Sequence, residues 1–311
     1  MFIFKGVSMG RSGALVLAAG LLALLWTSSP VLADSGTRTF TAISPWRMNE
    51  EQASCVLERD FGTTEASSTL RIEKFAPGYD FLLTVIGPAV SGLTERHSLE
   101  LRFDEAGTRG GIGQFFIGTL KRRSADTEPM LVAKATPFIL RDRPAPIMLG
   151  PRTMEADGNI VELSWAGQSV VLQTGSLQRA LAAMDSCIHK LVDHWGLDSR
   201  VQLTLAKHPS PQRWSIRYPN SKIGSNERGL VGLVMGISDT GKPTSCLIAV
   251  SYADKVFNQQ VCDSVRKWTF DPALTPAGQA VESYYSTTIF FGDGGQGARA
   301  KHDDLFGDPS P

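Results

Sequence analysis

Between Ser67 and Gly175 the chain repeats one short theme eight times, and this limits the folds open to it more than any other feature. The runs are "STLRIEKF", "FLLTVIG", "SLELRF", "QFFIGTL", "MLVAKA", "FIL", "NIVELSW" and "SVVLQTG". Many of their residues are β-branched or aromatic, as pleated, half-buried surfaces require. Several alternate with period two: Leu99, Leu101 and Phe103 share one face of an extended chain, and Glu100 and Arg102 the other. Short strands at such close spacing predict an antiparallel sandwich or open barrel. One helix follows. Ser176 suits its N-cap and Gly196 its stop, and Leu177, Leu181, Met184, Ile188, Leu191 and Trp195 recur at helical spacing. Upstream, residues 34–66 read as irregular, with Cys55 in a short helical "NEEQASCVLERDF".

The first 33 residues stand apart. Lys5 and Arg11 precede the apolar run "GALVLAAGLLALLW", and Val31 and Ala33 stand before a cut ahead of Asp34. The pattern reads as a secretory signal peptide. The alternative is an uncleaved inner-membrane anchor over residues 13–33, although Gly13–Trp26 is shorter than the roughly 20 apolar residues a spanning helix needs. A membrane association is expected only if the segment stays attached. The 31 basic and 31 acidic residues balance, so the basic footprint of a nucleic-acid binder is missing.

All four cysteines, Cys55, Cys187, Cys246 and Cys262, lie beyond the cut. An even number in an exported chain suggests two disulfides, with three connectivities open. Cys187 flanks the buried stripe beside Met184 and Ile188 and so faces the β-layer, where Cys55 can reach it. Pairing these two leaves Cys246 with Cys262 and keeps each bridge local. No C-x-x-C pair exists and no His stands at ligand spacing from two cysteines, so neither metal nor cofactor is expected.

The Pro-containing stretch 207–217 reads as a linker after a β-rich domain of residues 34–206. Residues 218–292 then carry two strands, a helix and a third strand. The first strand runs from about Gly229 to Ser238, and "DTGKP" turns into "TSCLIAVSY". Asp254 caps a helix that places Phe257, Val261, Val265 and Trp268 on one face. In "RKWTFDPALTPAGQAV", Trp268 closes the buried stripe and Phe270 folds onto the sheet edge. Pro272 ends the helix, and Gly278 permits the turn into "SYYSTTIFF", Ser283–Phe291. The tail, 293–311, reads as disordered from its Gly, Asp and Pro content. The fold class expected for the whole is α+β: a β-rich sandwich or open barrel with one helix, then a small ββαβ domain.

Residues 215–292 resemble the C-terminal domain of TonB-type proteins. The resemblance rests on Tyr218-Pro219, the Gly-led strand at Gly229, the D-x-G turn at Asp239 and Gly241, "RKWTFDPA", Gly278 and the final strand. It implies a periplasmic module that binds a protein partner by strand addition, such as an extended peptide of an outer-membrane receptor. It assigns the edge to Ser283–Phe291 and the partner-binding residues to Tyr218, Pro219, Tyr284, Tyr285, Thr287 and Ile289. Tyr284, Ser286, Thr288 and Phe290 alternate with Tyr285, Thr287 and Ile289, one set facing the helix and the other solvent. A Cys246–Cys262 bridge would join sheet to helix. The chain departs from the family's energy transducers, whose long Pro-rich spacer is replaced here by a β-rich domain, and whose anchor carries a polar position absent from Gly13–Trp26. A stand-alone envelope or dimerisation protein of the same fold is therefore the alternative.

A hydrolase hidden in the N-terminal part, with His97 in a pocket, is the third reading. His189 and Asp193 stand four apart on the first helix beside His194, but they point off the buried stripe and read as a solvated face. "GTRGGIGQF" precedes a strand instead of linking a strand to a helix, so it reads as a hairpin and not a phosphate loop. Ser176 is a cap, and Asp303 and Asp304 fall in the tail. No enzyme is expected.

Overall fold

The computed structural model describes residues 36–77, 81–103, 109–121, 127–136, 158–213, 215–225, 227–292 and 301–304. The export signal, its alternative as an anchor, and the run "FIL" lie outside the described residues. The chain is α+β and strand-rich. Ten strands build its first part: β1 Thr37–Thr41, β2 Arg47–Glu50, β3 Cys55–Gly62, β4 Ser67–Lys74, β5 Phe81–Ile86, β6 Glu100–Arg102, β7 Arg109–Lys121, β8 Thr127–Thr136, β9 Ile160–Trp165 and β10 Gln168–Gln173. They lie in one open sheet in the order β1-β10-β9-β6-β7-β8-β5-β4-β3-β2. β1 joins β10 in parallel, and the other pairings are antiparallel.

The sheet curls on itself. Just past β1, Ala42 bridges Phe61 of β3, and the Ile43 amide donates to the Asp60 carbonyl at 2.9 Å, so one end of the sheet meets the other. Inside the curl, Leu57, Phe61, Leu70, Ile72, Leu83, Val85, Leu131, Leu163 and Leu172 form the core. Helix α1, Leu177–His194, lays Leu177, Met184, Cys187, Ile188 and Leu191 onto it. Cys187 of α1 is bonded to Cys55 of β3, their Cα atoms 6.2 Å apart. The stretch around Cys55 is therefore strand and not helix, and residues 36–66 are not irregular but carry β1, β2 and β3. Cys55, Leu57 and Phe61 fall on the inner face while Glu58 faces Arg71 across the β3–β4 ladder. Tertiary pairing with a period-two pattern outweighs the helix propensity of "NEEQ".

A short helix α2, Ser199–Gln202, and a two-residue strand β11, Ser210–Pro211, lead into the second part. There β12 Gly229–Ile237, β13 Leu247–Ser251, helix α3 Lys255–Val265, the short β14 Phe270–Asp271, β15 Ala273–Leu274 and β16 Ala280–Val281, and β17 Ser283–Phe291 follow in order. A last strand, β18 Lys301–Asp304, completes a sheet ordered β13-β12-β17-β18. Helix α3 stops at Val265, three residues short of Trp268, and the Trp268 amide turns back onto the Val265 carbonyl at 3.0 Å. Chain reversal toward β14 ends the helix well before Pro272, because Phe270 must reach Gly241, to whose carbonyl its amide donates at 2.9 Å. Gly241 has φ +77°, and a Cβ there would sit 2.0 Å from the Phe270 carbonyl oxygen, so only glycine lets the two segments meet.

The linker is not loose. The amides of Ala206 and Lys207 donate to the Leu274 carbonyl, and β11 pairs with β14. Among the described residues no helix is long and apolar enough to cross a membrane.

The small sheet has two covered faces. On one, Val231, Leu233, Met235, Ile237, Tyr285, Ile289 and Phe291 pack against Phe257, Val261 and Val265 of α3. On the other, Leu230, Val234, Val250, Tyr284 and Phe290 pack against Phe75, Leu82, Ile86, Met130 and Val132 on the outer face of the large sheet. The three layers are thus curled sheet, small sheet and helix. Gly232 lies at the contact, where a Cβ would stand 2.6 Å from Val250 Cγ1 and 3.2 Å from the Phe75 ring.

Polar contacts rim this interface. The Tyr252 and Thr84 hydroxyls are 3.3 Å apart, Arg228 pairs with Glu95, and Gln202 donates to the Glu282 carbonyl at 2.9 Å while accepting from the Ser283 hydroxyl at 2.6 Å. Beneath Tyr252, Arg71 pairs with Glu51, Glu58 and the fully buried Glu73, which also accepts from the Ser54 hydroxyl at 2.6 Å. Burial pushes the Glu73 carboxyl up, against the pull of Arg71 and Ser54. A carboxyl raised in the folded state stabilises fully below its unfolded pKa, and that contribution is lost as pH rises through the folded value. Glu73→Gln is therefore expected to flatten the fall in unfolding free energy from the acid side of the carboxylate range toward neutrality. Urea melts across that range check it, and a slope unchanged from the parent would contradict it.

Candidate partner-binding edge

The candidate site follows from how the small sheet is laid out. β12 is central, paired to β13 on one side and along its whole length to β17 on the other, from Gly229↔Phe291 to Ile237↔Ser283. β17 therefore presents one backbone edge away from β12. All nine of its side chains are buried. The expectation that one set would face solvent is corrected: Tyr284 and Phe290 face the large sheet, and Tyr285 and Ile289 face α3. A second sheet needs an apolar surface to close on, and the small sheet supplies it. Continuous apolar runs in β12, "GLVGLVMGI", and β5, "FLLTVI", carried that signal, since strands buried on both faces lose their alternation.

The proposed binding residues are thus brought together as framework. Tyr218 is buried, its ring edge-on to Phe257 at 5.3 Å and to Phe291 at 6.2 Å, and its hydroxyl donates to the Glu227 carbonyl at 2.5 Å. Pro219 is buried beside it and begins a single 3-10 turn. Tyr285 packs on Phe270 at 5.2 Å, and Phe270 lies 6.1 Å from Trp268. Tyr284 stands edge-on to Trp195 at 5.8 Å, and its burial pushes the phenol up. Thr287 and Ile289 are fully buried. Gly278, at φ +78°, makes the turn between β15 and β16. Cys246 and Cys262 are bonded and tie the approach to β13 to α3, with Cα atoms 5.8 Å apart.

What β17 can offer another chain is its backbone. Part of that is already engaged. β18 lies antiparallel along it, with Thr287 opposite Asp304, Thr288 opposite Asp303, Ile289 opposite His302 and Phe290 opposite Lys301. The tail is therefore not wholly irregular: four of its residues form a strand, because unpaired N–H and C=O groups on β17 template one.

The groups weighed for catalysis serve other ends. The Asp193 carboxylate accepts from the Ser199 amide at 2.9 Å, at the start of α2, instead of orienting His189. His97 Nδ1 accepts from the Thr94 amide at 3.2 Å within its own turn. Within "GTRGGIGQF", Arg109–Phe115 belong to β7, which pairs antiparallel with β6, and no helix follows them. Among the described residues no group of three His, Cys, Asp or Glu side chains is placed to hold a metal ion. A surface cleft of about 640 Å³ lies beyond the end of α3, walled by Arg213, Arg217 and Lys267 with Trp268 among its lining.

The second part is thus a four-stranded sheet, β13-β12-β17-β18, backed by one helix tied to it by a disulfide. Residues 215–292 match the model of the family described as the Gram-negative bacterial TonB protein C-terminal, and this segment is a TonB C-terminal domain. At family level the match supports a TonB-like periplasmic module for protein interaction. No curated protein matches the chain.

Proposed function

We propose that this protein works in the periplasm by capturing an extended peptide of a protein partner, such as the periplasmic segment of an outer-membrane receptor, as an added strand on β17. One observation carries the reading: the edge accepts a strand, since Lys301–Asp304 pairs with it in register. Backbone hydrogen bonds supply such binding, each worth about 0.5–1.5 kcal/mol net. Tyr284, Tyr285, Thr287 and Ile289 hold the edge straight from within, and Tyr218 and Pro219 brace its far end. The N-terminal 33 residues direct export, or else hold the chain at the inner membrane.

A second reading is favoured by the packing of the large sheet directly on the small one. A transducer that pulls across an envelope needs reach, and here residues 206–211 are pinned to β14 and β15. In that reading the protein binds a partner in the envelope, or a second copy, without transmitting force. One experiment serves both. Synthetic peptides covering the periplasmic segments of outer-membrane receptors are added to the exported protein, and amide exchange is followed by mass spectrometry. Relative to the protein alone, added protection within Ser283–Phe291 is expected with a binding peptide, most of all toward Ser283, where β18 makes no pairs. Added protection confined to β13 or α3, or none anywhere, overturns strand addition at this edge.

A further inference from the structure

We propose that the C-terminal segment is a latch: β18 occupies the β17 edge in the resting protein, and a partner strand binds by displacing it. The inference rests on the reading of β17 as the binding edge and deepens it. Three observations support it. β18 covers Thr287–Phe290, four of the nine residues of β17. Its sequence, Lys-His-Asp-Asp, has none of the β-branched, Phe, Tyr or Trp residues that favour strands, so its own preference for the extended form is weak. The connection between Phe291 and Lys301 is nine residues long and joins two strands that pair directly, so the edge and its cover belong to one chain.

The consequences follow from competition. A short tether within one chain gives the tail an effective concentration on the order of millimolar at the edge. An intruding strand must outcompete that, and its apparent affinity falls by the fraction of time the edge is open. A longer partner strand can pair beyond Thr287 toward Ser283, where β18 makes no pairs. The latch therefore passes long, strand-prone peptides and rejects short ones. It also keeps the rim of one copy from pairing with the rim of another, the usual hazard of an open edge.

The test needs no knowledge of the natural partner. Amide exchange is measured on the full chain, on the full chain carrying His302→Pro and Asp303→Pro, and on a chain ending at Gly292. His302 and Asp303 are consecutive in a strand, so one of their two amides points at β17, and the double variant removes it. The amides of Thr287–Phe290 that face away from β12 are expected to exchange at least tenfold faster in both altered chains, while Val231–Val234 of β12 stay protected. A synthetic peptide of residues 293–311, added to the shortened chain, should restore the protection. Equal exchange in all three chains would overturn the latch, and receptor peptides would then protect β17 equally in each. The converse result, faster exchange with no receptor peptide bound by the shortened chain, leaves the latch standing and removes the binding reading.

Discussion

Cut free of residues 36–206, the segment 207–292 is expected to associate or precipitate instead of standing as a monomer. Its sheet would then expose Leu230, Val234, Val250, Tyr284 and Phe290, which the large sheet covers in the intact chain. Burying each such side chain contributes about 1.5–3 kcal/mol, so the lost cover is on the order of 10 kcal/mol as an upper estimate. A contiguous patch of this kind is an aggregation surface. Light scattering on the purified segment checks the expectation. Replacing Leu230, Val234 and Phe290 with threonine should restore a single species. A parent segment that is monodisperse, with a sharp thermal transition, would show that the small sheet does not depend on its neighbour.

The two disulfides should differ in what they contribute. Cys55 and Cys187 are 132 residues apart, whereas Cys246 and Cys262 are 16 apart. In the chain-entropy account a bridge stabilises by restricting the unfolded chain, more for longer loops: about 5 kcal/mol for the first and about 3 kcal/mol for the second. The pair Cys55→Ser with Cys187→Ser should therefore lower the urea midpoint more than Cys246→Ser with Cys262→Ser. The first also unfastens α1 from β3, which exposes Met184 and Ile188 on the helix side of the core. Equal losses from the two pairs, or a larger loss from the shorter loop, would show that native-state contacts and not loop closure set their worth.

Local patterns carried much of the architecture. Seven of the eight runs between Ser67 and Gly175 fall in strands of the sheet, the eighth lying outside the described residues, and Ser176 to Gly196 marked the helix that closes it. The order β12, β13, α3, β17 was legible from the turn at Gly241 and the spacing around Trp268. Where the reading failed, a distant partner overrode a local preference. "NEEQASCVLERDF" has helical composition, yet β4 supplies a ladder along all of β3. The helix meant to reach Trp268 stops at Val265 because the chain must turn to bring Phe270 to Gly241.

The candidate edge shows the same division. Sequence alone marked Ser283–Phe291 as a strand, set the period that sorts Tyr284 from Tyr285, and supplied the residues by which the segment is known as a TonB C-terminal domain. It could not say what lies against each face or along the free side. Period two fixes which side chains go together, but not whether a layer or water meets them. Only the tertiary structure placed Phe75 and Met130 over one face and Lys301–Asp304 along the rim. Those contacts join residues far apart in the chain, and their energy depends on shape and backbone register that no local pattern encodes.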